Sequence, residues 1–223
     1  MERVNQQIKK TDTEFYIQIG IVAVLALIIV FAAGKIYGNS GADITDAGIT
    51  GASVLSSDII PTGVPAVYGQ TLGVSYDDIS ASNPKLADAT IQKLSAYEGE
   101  ELNSEQMARY IKIGSAISCE YCCGADAIIF PNGEAACGCA HSYAFRGLAK
   151  YLLINNPEMS DYEILSELGK WKVLFFPGIH ETKAKVLEAN GIDSTDYVNL
   201  ASNLYRGAEQ GQVSSDGGMV GGC

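Results

Sequence analysis

A cluster of cysteines in the middle of the chain is followed at once by a histidine. Five of the six cysteines fall within residues 119–139, in the pattern C-x2-C-C-x13-C-x-C-x-H. The candidate ligands are Cys119, Cys122, Cys123, Cys137, Cys139, His141 and the terminal Cys223. Thiolates that converge are typical of a soft metal site or of a thiol–disulfide couple. The fold must therefore reverse the chain between the two cysteine groups.

The segment between the two groups predicts a small β-hairpin. Residues 127–130 form a short apolar run that predicts a first strand. Residues 131–134, Pro-Asn-Gly-Glu, predict a turn, and residues 135–137 would form the second strand. Such a hairpin would bring Cys137 and Cys139 back toward the first cysteine group.

The remainder of the domain predicts helices. Asn83 before Pro84 begins one that should bury Leu86, Ile91, Leu94 and Tyr97. Asn103 with Gln106 and Ser160 with Glu163 are capping-box patterns for two more. Further helices are expected at about 140–155, 161–170, 181–190 and 195–205. Residues 171–176 are expected to form a strand or a buried turn. The predicted fold class is therefore mainly α with one small hairpin.

A long apolar segment near the N-terminus predicts a transmembrane anchor. Residues 15–34 carry no charge, and twenty residues at about 1.5 Å each cross a hydrocarbon core of about 30 Å. A cleaved signal peptide and a buried core helix are the alternatives. We favour the uncleaved anchor, because the preceding residues 1–14 are mixed in charge.

The basic residues near this segment predict its orientation. Arg3, Lys9 and Lys10 precede it, and after Lys35 the next basic residue is Lys85. Because positive residues stay inside, residues 1–14 should be cytoplasmic and the remainder of the chain extracytoplasmic, on a single-pass cell-membrane protein.

Composition divides the exported part into three pieces. Residues 35–75 are rich in glycine, serine and threonine, which predicts a flexible linker. Residues 76–206 form the predicted helical cysteine-rich domain, and residues 207–223 a flexible tail that ends in cysteine. The net charge of −11 makes nucleic acid a poor partner, because an acidic surface repels phosphate.

We interpret the cysteine cluster first as a soft-metal site. Two close cysteine pairs joined by a hairpin are the layout of a four-thiolate site. Its predicted ligands are Cys119, Cys122, Cys137 and Cys139. The accessory groups are Cys123, His141 and Cys223. Zinc takes four thiolates, or three and an imidazole, whereas surplus thiolate suits Cu(I). An iron–sulfur cluster fits the ligand count but suits an oxidising compartment less.

Two other interpretations stay open. Structural disulfides persist in exported domains, although the absence of cysteine from the first 118 residues is unusual for loop staples. The second of these interpretations is thiol–disulfide oxidoreductase chemistry, which is the only enzymatic role that we derive from the sequence. It rests on Cys137 or Cys139 at a helix N-terminus, with Cys223 as resolving thiol. His180 is expected to be a surface or capping residue, and Trp171, Phe175 and Phe176 to be core.

The stretch 119–177 resembles uncharacterised membrane-anchored prokaryotic proteins with a CxxCC…CGCAHS pattern, and more distantly the PCYCGC-motif lipoproteins. The order of cysteine pair, helix with a central Arg146 and capped helix is also similar to the periplasmic thiol-reductase subunit of cytochrome c maturation. That family has CxxC before its helix, whereas this chain has Cys137-Gly138-Cys139. The sequence contains no CxxCH, phosphate loop or Ser-His-Asp order.

Overall fold

Helices are the regular structure of this chain in its computed structural model, which describes residues 56–211 and 219–221. The α-helices are α1 Ser56–Ile59, α2 Gly69–Leu72, α3 Pro84–Ser95, α4 Ser104–Ser115, α5 Ala140–Asn155, α6 Asp161–Phe175, α7 Pro177–Ala189 and α8 Tyr197–Ala201. Two 3₁₀ turns cover Tyr76–Asp78 and Asn203–Tyr205. The prediction of a mainly helical domain is confirmed.

Part of what the sequence predicts lies outside the described residues. This part comprises residues 1–14, the anchor at 15–34, most of the linker and Cys223. Within 56–211 and 219–221, no helix has both the length and the apolar character that crossing a membrane requires. The membrane anchor therefore stays a prediction.

Three helices begin at the polar residues that the sequence marks as caps. The Asn83 side chain accepts a hydrogen bond at the start of α3. Complete capping boxes begin α4, where Asn103 pairs with Gln106, and α6, where Ser160 pairs with Glu163. Each box provides acceptors for two backbone N–H groups at the helix start. One of them, the N–H of the third helical residue, has no carbonyl partner within the helix. These predictions of helix starts are confirmed.

Helix α5 lies at the centre of the core, with 11 of its 16 residues buried. It touches α3 closely at Gly147, where a Cβ atom would lie 2.2 Å from the Leu94 carbonyl oxygen. The predicted burial of Ile91 and Leu94 is confirmed, but Leu86 is 39% exposed. The prediction for Leu86 is wrong because it precedes Ile91 by five residues, about 140° around the helix.

Residues 171–176 do not form the predicted strand or turn, because α6 continues to Phe175. Trp171 and Phe175 pack in the main core, while Val173 packs in a second cluster with residues of α7 and α8. Both sides of this helix end are covered, so apolar residues occur on both sides of it and the helical period disappears, with Lys172 as the one charged residue among residues 171–176. The helix ends before Pro177, which disfavours helical backbone in the preceding residue.

The predicted hairpin is also wrong, since residues 127–136 contain no strand. The chain does reverse there, through a single antiparallel bridge between Ile129 and Ala135. A longer ladder does not form, because the Ile128 N–H donates instead to the carbonyl oxygens of Ile117 at 3.1 Å and of Gly114 in α4 at 3.3 Å. The second cysteine group therefore returns on a loop that is anchored to a helix.

The described part of the predicted linker is folded onto the helices. The side chains of Ile59, Tyr68 and Val74 are buried. The Trp171 indole N–H donates to the Tyr68 hydroxyl at 2.7 Å. The glycines and prolines of residues 58–75 thus belong to turns and the short helix α2 over a core surface, which composition alone does not distinguish from a flexible linker.

Candidate metal and thiol site

Two backbone turns position the cysteines, one after α4 and one before α5. In the first turn, the N–H groups of Cys122 and Cys123 both donate to the Cys119 carbonyl oxygen at 3.2 Å. In the second turn, Cys139 is the N-cap residue of α5. The cysteines therefore lie on short loops that the ends of two buried helices hold in place.

Arg146 of α5 anchors the second turn. Its buried Nη1 donates to the Cys137 carbonyl oxygen and to the Ser142 hydroxyl, each at 2.8 Å. Its Nε donates to Glu98 Oε1 at 3.0 Å. A guanidinium fixes several acceptors in one plane, so this side chain sets the backbone path beside Cys137.

The structure brings the described candidate ligands together in two overlapping groups. The first group is Cys119, Cys123, Cys137 and Cys139. The second group is Cys119, Cys122, Cys139 and His141. Within each group, all ligand atoms lie within 4.8 Å of one another. Because Cys119 and Cys139 belong to both, we call these six residues the cysteine cluster and this pair its centre.

The described cysteines carry both disulfides and free thiols. Cys123 and Cys137 are joined by a disulfide, and Cys122 is also disulfide-bonded. Among the described cysteines, the free thiols are Cys119 and Cys139, whose sulfurs lie 3.2 Å apart. The cluster thus places a disulfide beside a dithiol.

The two free thiols have opposite electrostatic preferences. The hydrogen bond from Cys119 lowers the pKa of Cys139 well below its usual value, in opposition to burial. The Ser142 N–H at the start of α5 donates to Cys139 Sγ at 3.4 Å, and the helix dipole favours negative charge there. The same hydrogen bond, together with burial, raises the pKa of Cys119. Both directions favour Cys139 over Cys119 as the thiolate of the pair.

Access to the cluster is uneven. Cys119 and His141 are fully buried, and Cys137 and Cys139 are 6% and 8% exposed. Cys123 is exposed. A reagent or partner that approaches the cluster therefore meets Cys123 first.

A second group of functional side chains lies beside the cysteines, and the sequence interpretation missed it. We call it the buried charge cluster; its members are Glu120, Lys172, His180, Lys183 and Glu209. The Lys172 ammonium donates to both carboxylate oxygens of Glu120, at 3.0 and 2.8 Å. Except for the half-buried Glu120, these residues are at most 3% exposed.

Several polar atoms of this cluster have no hydrogen-bond partner among the described residues: Lys183 Nζ, His180 Nε2 and Glu209 Oε2. Burial and the nearby Lys172 charge lower the pKa of Lys183 to about 8. The same two causes lower the pKa of His180 to about 3. The prediction that His180 lies at the surface is wrong, because its ring packs under Tyr121 at 5.6 Å between ring centroids.

One sequence signal could have revealed part of this cluster. Lys172 interrupts the apolar run Trp-Lys-Val-Leu-Phe-Phe, and a charge within such a run is either at an edge or buried with a partner. Its partner Glu120 lies within the cysteine motif, 52 residues earlier. A cavity of about 310 Å³ opens beside Glu120, Tyr121 and Glu209.

Comparisons of the chain with protein-family models, with curated proteins and with solved structures found no match. The resemblance of residues 119–177 to the CxxCC…CGCAHS proteins therefore stays a prediction.

Proposed function

We propose that the reduced cysteine cluster binds a soft metal ion, zinc or Cu(I), and passes it on by ligand exchange. The convergence of four sulfurs within 4.8 Å carries this proposal. Four thiolates at about 2.3 Å from a tetrahedral zinc ion lie about 3.8 Å from one another. The sulfurs of Cys119, Cys123, Cys137 and Cys139 lie within 4.8 Å of one another, so reduction of the Cys123–Cys137 disulfide and small shifts would bring them to that spacing. Thiolate is also the ligand that both ions prefer.

The overlap of the two ligand groups supports transfer rather than permanent storage. A metal held at the central pair, Cys119 and Cys139, can exchange its outer ligands between the two groups without leaving the pair. The exposed Cys123 belongs to one group and the buried His141 to the other. Ligand exchange would thus move the ion between a surface-accessible and a buried coordination.

Thiol–disulfide exchange is the second candidate, and the Cys123–Cys137 disulfide beside the free pair favours it. The Cys139 thiolate would attack Cys137 Sγ, forming a new disulfide and releasing Cys123 as thiolate. Cys119 would then give its proton to Cys123 and attack Cys139 Sγ, releasing Cys137. Two electrons pass from one pair to the other, and no external reagent is consumed.

The location of the protein belongs to the same proposal. An anchor at residues 15–34 would hold the domain outside the cell membrane, where its disulfides persist. Protease added to intact cells should then digest the domain. Digestion only after lysis would contradict this location and return the cysteines to a reducing compartment.

Metal content under controlled redox conditions tests the main proposal. The full chain, reduced and purified without oxygen, should bind one zinc or Cu(I) ion, and Cys119→Ser or Cys139→Ser should abolish binding. Cys122→Ser is the matched control for stoichiometry: it should still bind one ion through the intact first ligand group, but more weakly, because it removes a ligand of the second group. Cys223→Ser should leave one ion bound but easier to remove.

The same samples distinguish the second candidate. A chain that binds neither ion when reduced, but moves between oxidised and reduced forms with dithiothreitol, would contradict the metal proposal and support thiol exchange. In that case Cys139→Ser should stop transfer between the two cysteine pairs.

A further inference from the structure

A short C-terminal segment, Met219–Gly221, inserts beside His141. Val220 is 6% exposed, and its N–H donates to the Phe175 carbonyl oxygen at 2.9 Å. Phe175 ends α6, so this carbonyl has no partner within its own helix. The segment is therefore held by both a buried apolar side chain and a backbone hydrogen bond.

The Val220 carbonyl oxygen lies 2.8 Å from Nε2 of His141. A carbonyl oxygen only accepts, so Nε2 must carry the hydrogen of this bond. In the neutral ring, Nδ1 then holds the lone pair. His141 Nδ1 is buried and has no hydrogen-bond partner among the described residues.

Gly221 makes this approach possible. Its φ of +87° lies in the left-handed region, which residues with a Cβ atom rarely adopt. A Cβ at this position would lie 2.4 Å from Ile91 Cδ1 and 3.2 Å from His141 Nε2. A residue with a Cβ atom would therefore strain the backbone here and require Ile91 or the segment itself to shift.

Two aromatic rings hold the imidazole from the other sides. Ring centroids of Phe175 and Phe176 lie 4.6 and 5.1 Å from that of His141. The ring therefore has little freedom to flip, and among the described residues the Val220 carbonyl oxygen is the hydrogen-bond partner of its Nε2.

We propose that the Val220 carbonyl is a positioning group for the metal site: it fixes His141 as the Nε2–H tautomer and so presents Nδ1 as a ligand beside Cys119, Cys122 and Cys139. Histidine ligands commonly donate their second N–H to a carbonyl or carboxylate in this way. The ligand role rests on the proposed metal function, whereas the tautomer is a property of the metal-free chain.

Nitrogen NMR of the full chain with ¹⁵N-labelled histidine tests the tautomer without metal. The chain has only two histidines. His141 should show the Nε2–H form, and His180 the opposite Nδ1–H form, because His180 Nδ1 donates to the Phe176 carbonyl oxygen at 2.8 Å. His141 in the Nδ1–H form would overturn the proposal, with His180 as the internal control.

Substitution of Gly221 tests the dependence on the segment. Gly221→Ala should mix the His141 tautomers and leave His180 unchanged. Gly211→Ala is the matched control, because Gly211 also has positive φ, +83°, but nothing within 4 Å of its Cβ position. Val220→Ala keeps the main-chain carbonyl and should keep the tautomer. Should Gly221→Ala misfold, a chain that ends at residue 218, compared with Cys223→Ser, gives the same test.

Zinc affinity of the reduced chain, measured by competition with a chromophoric chelator, then tests the role in metal binding. Loss of an outer hydrogen bond to a histidine ligand weakens metal binding about 10- to 100-fold. Gly221→Ala should show this loss, and Gly211→Ala should not. An unchanged affinity in Gly221→Ala would overturn the inference alone, whereas a wild-type chain that binds neither zinc nor Cu(I) would overturn the proposed function.

Discussion

The cysteine cluster and the buried charge cluster meet at the peptide bond between Cys119 and Glu120, yet they satisfy their polar groups differently. The cysteines bond to one another, through a disulfide and through a hydrogen bond between the Cys119 and Cys139 thiols. The charge cluster contains one ion pair, of Lys172 with Glu120, and leaves Lys183 Nζ without a described partner. The stability of the cysteine cluster should therefore depend on redox state and bound metal, and that of the buried charge cluster on pH and on removal of a charge.

The largest effect should come from breaking the Lys172–Glu120 pair. Glu120→Gln leaves a fully buried ammonium without its counter-charge, which typically costs about 3–5 kcal/mol of unfolding free energy. The double variant Glu120→Gln, Lys172→Met should recover most of that loss. Urea denaturation measures both.

The matched control for that pair is the ion pair of Lys112 with Asp161, in which Lys112 is 75% exposed. Lys112→Met should cost only about 0–1 kcal/mol, as exposed pairs do. Equal losses in Glu120→Gln and Lys112→Met would show that burial does not set the strength of the Lys172 pair.

Removal of the Cys123–Cys137 disulfide should come next. It closes a loop with a sequence separation of 14, and a loop of that length contributes about 3 kcal/mol. The double variant Cys123→Ser, Cys137→Ser should lose this amount under oxidising conditions, measured by urea denaturation without metal. In reducing buffer the variant and the wild type should have the same stability. Added zinc should stabilise the wild type more than the variant, because the variant keeps only the second ligand group.

The sequence predicts the cysteine cluster better than it predicts the charge cluster for a physical reason. The cysteines are close along the chain and belong to one rare residue type, so their pattern is visible without the fold. Glu120 and Glu209, in contrast, meet Lys172 only through packing of α6, α7 and the C-terminal loop. Burial of a charge depends on what covers it, which a local sequence does not specify.

The same reasoning applies to the fold. Helix starts were predictable because capping is local, as at Ser160 and Glu163. The hairpin was not, because the apolar run 127–130 is typical of a short strand, whereas in the fold the Ile128 N–H donates to carbonyl oxygens at and just after the end of α4. The role of Val220 was equally hidden, since it arises from an unpaired carbonyl at the end of α6.

Removal of the buried charge of Lys183 should stabilise the protein, by less than the losses predicted above for Glu120→Gln and for the disulfide variant. The Lys183 ammonium is buried without a hydrogen-bond partner among the described residues, which costs about 1–3 kcal/mol. Lys183→Met should therefore stabilise the protein by about that amount at pH 7. Lys185→Met is the control, since Lys185 is exposed and its removal should change stability by less than about 0.5 kcal/mol. A destabilised Lys183→Met would mean that Lys183 has a stabilising partner.

The smallest expected effect is a pH dependence that belongs to His180. Its pKa is about 3 in the folded chain against an ordinary 6.5, because burial and the nearby Lys172 and Lys183 charges oppose protonation. Below pH 6.5 the unfolded chain therefore binds a proton that the folded chain does not, so stability falls as pH falls. Between pH 6.5 and 5.5 the loss should be about 1 kcal/mol.

His180→Asn isolates the contribution of His180 to this pH dependence, because the amide can still donate to the Phe176 carbonyl oxygen but does not titrate. Urea denaturation at pH 6.5 and 5.5 should show that wild type loses about 1 kcal/mol more than His180→Asn. The Glu120 pKa is lowered by Lys172 below its ordinary 4.5, so Glu120 contributes its own loss only at more acidic pH. Equal losses of stability in the two proteins would mean that His180 accepts a proton in the folded state. Burial and the charges of Lys172 and Lys183 would then not prevent its protonation.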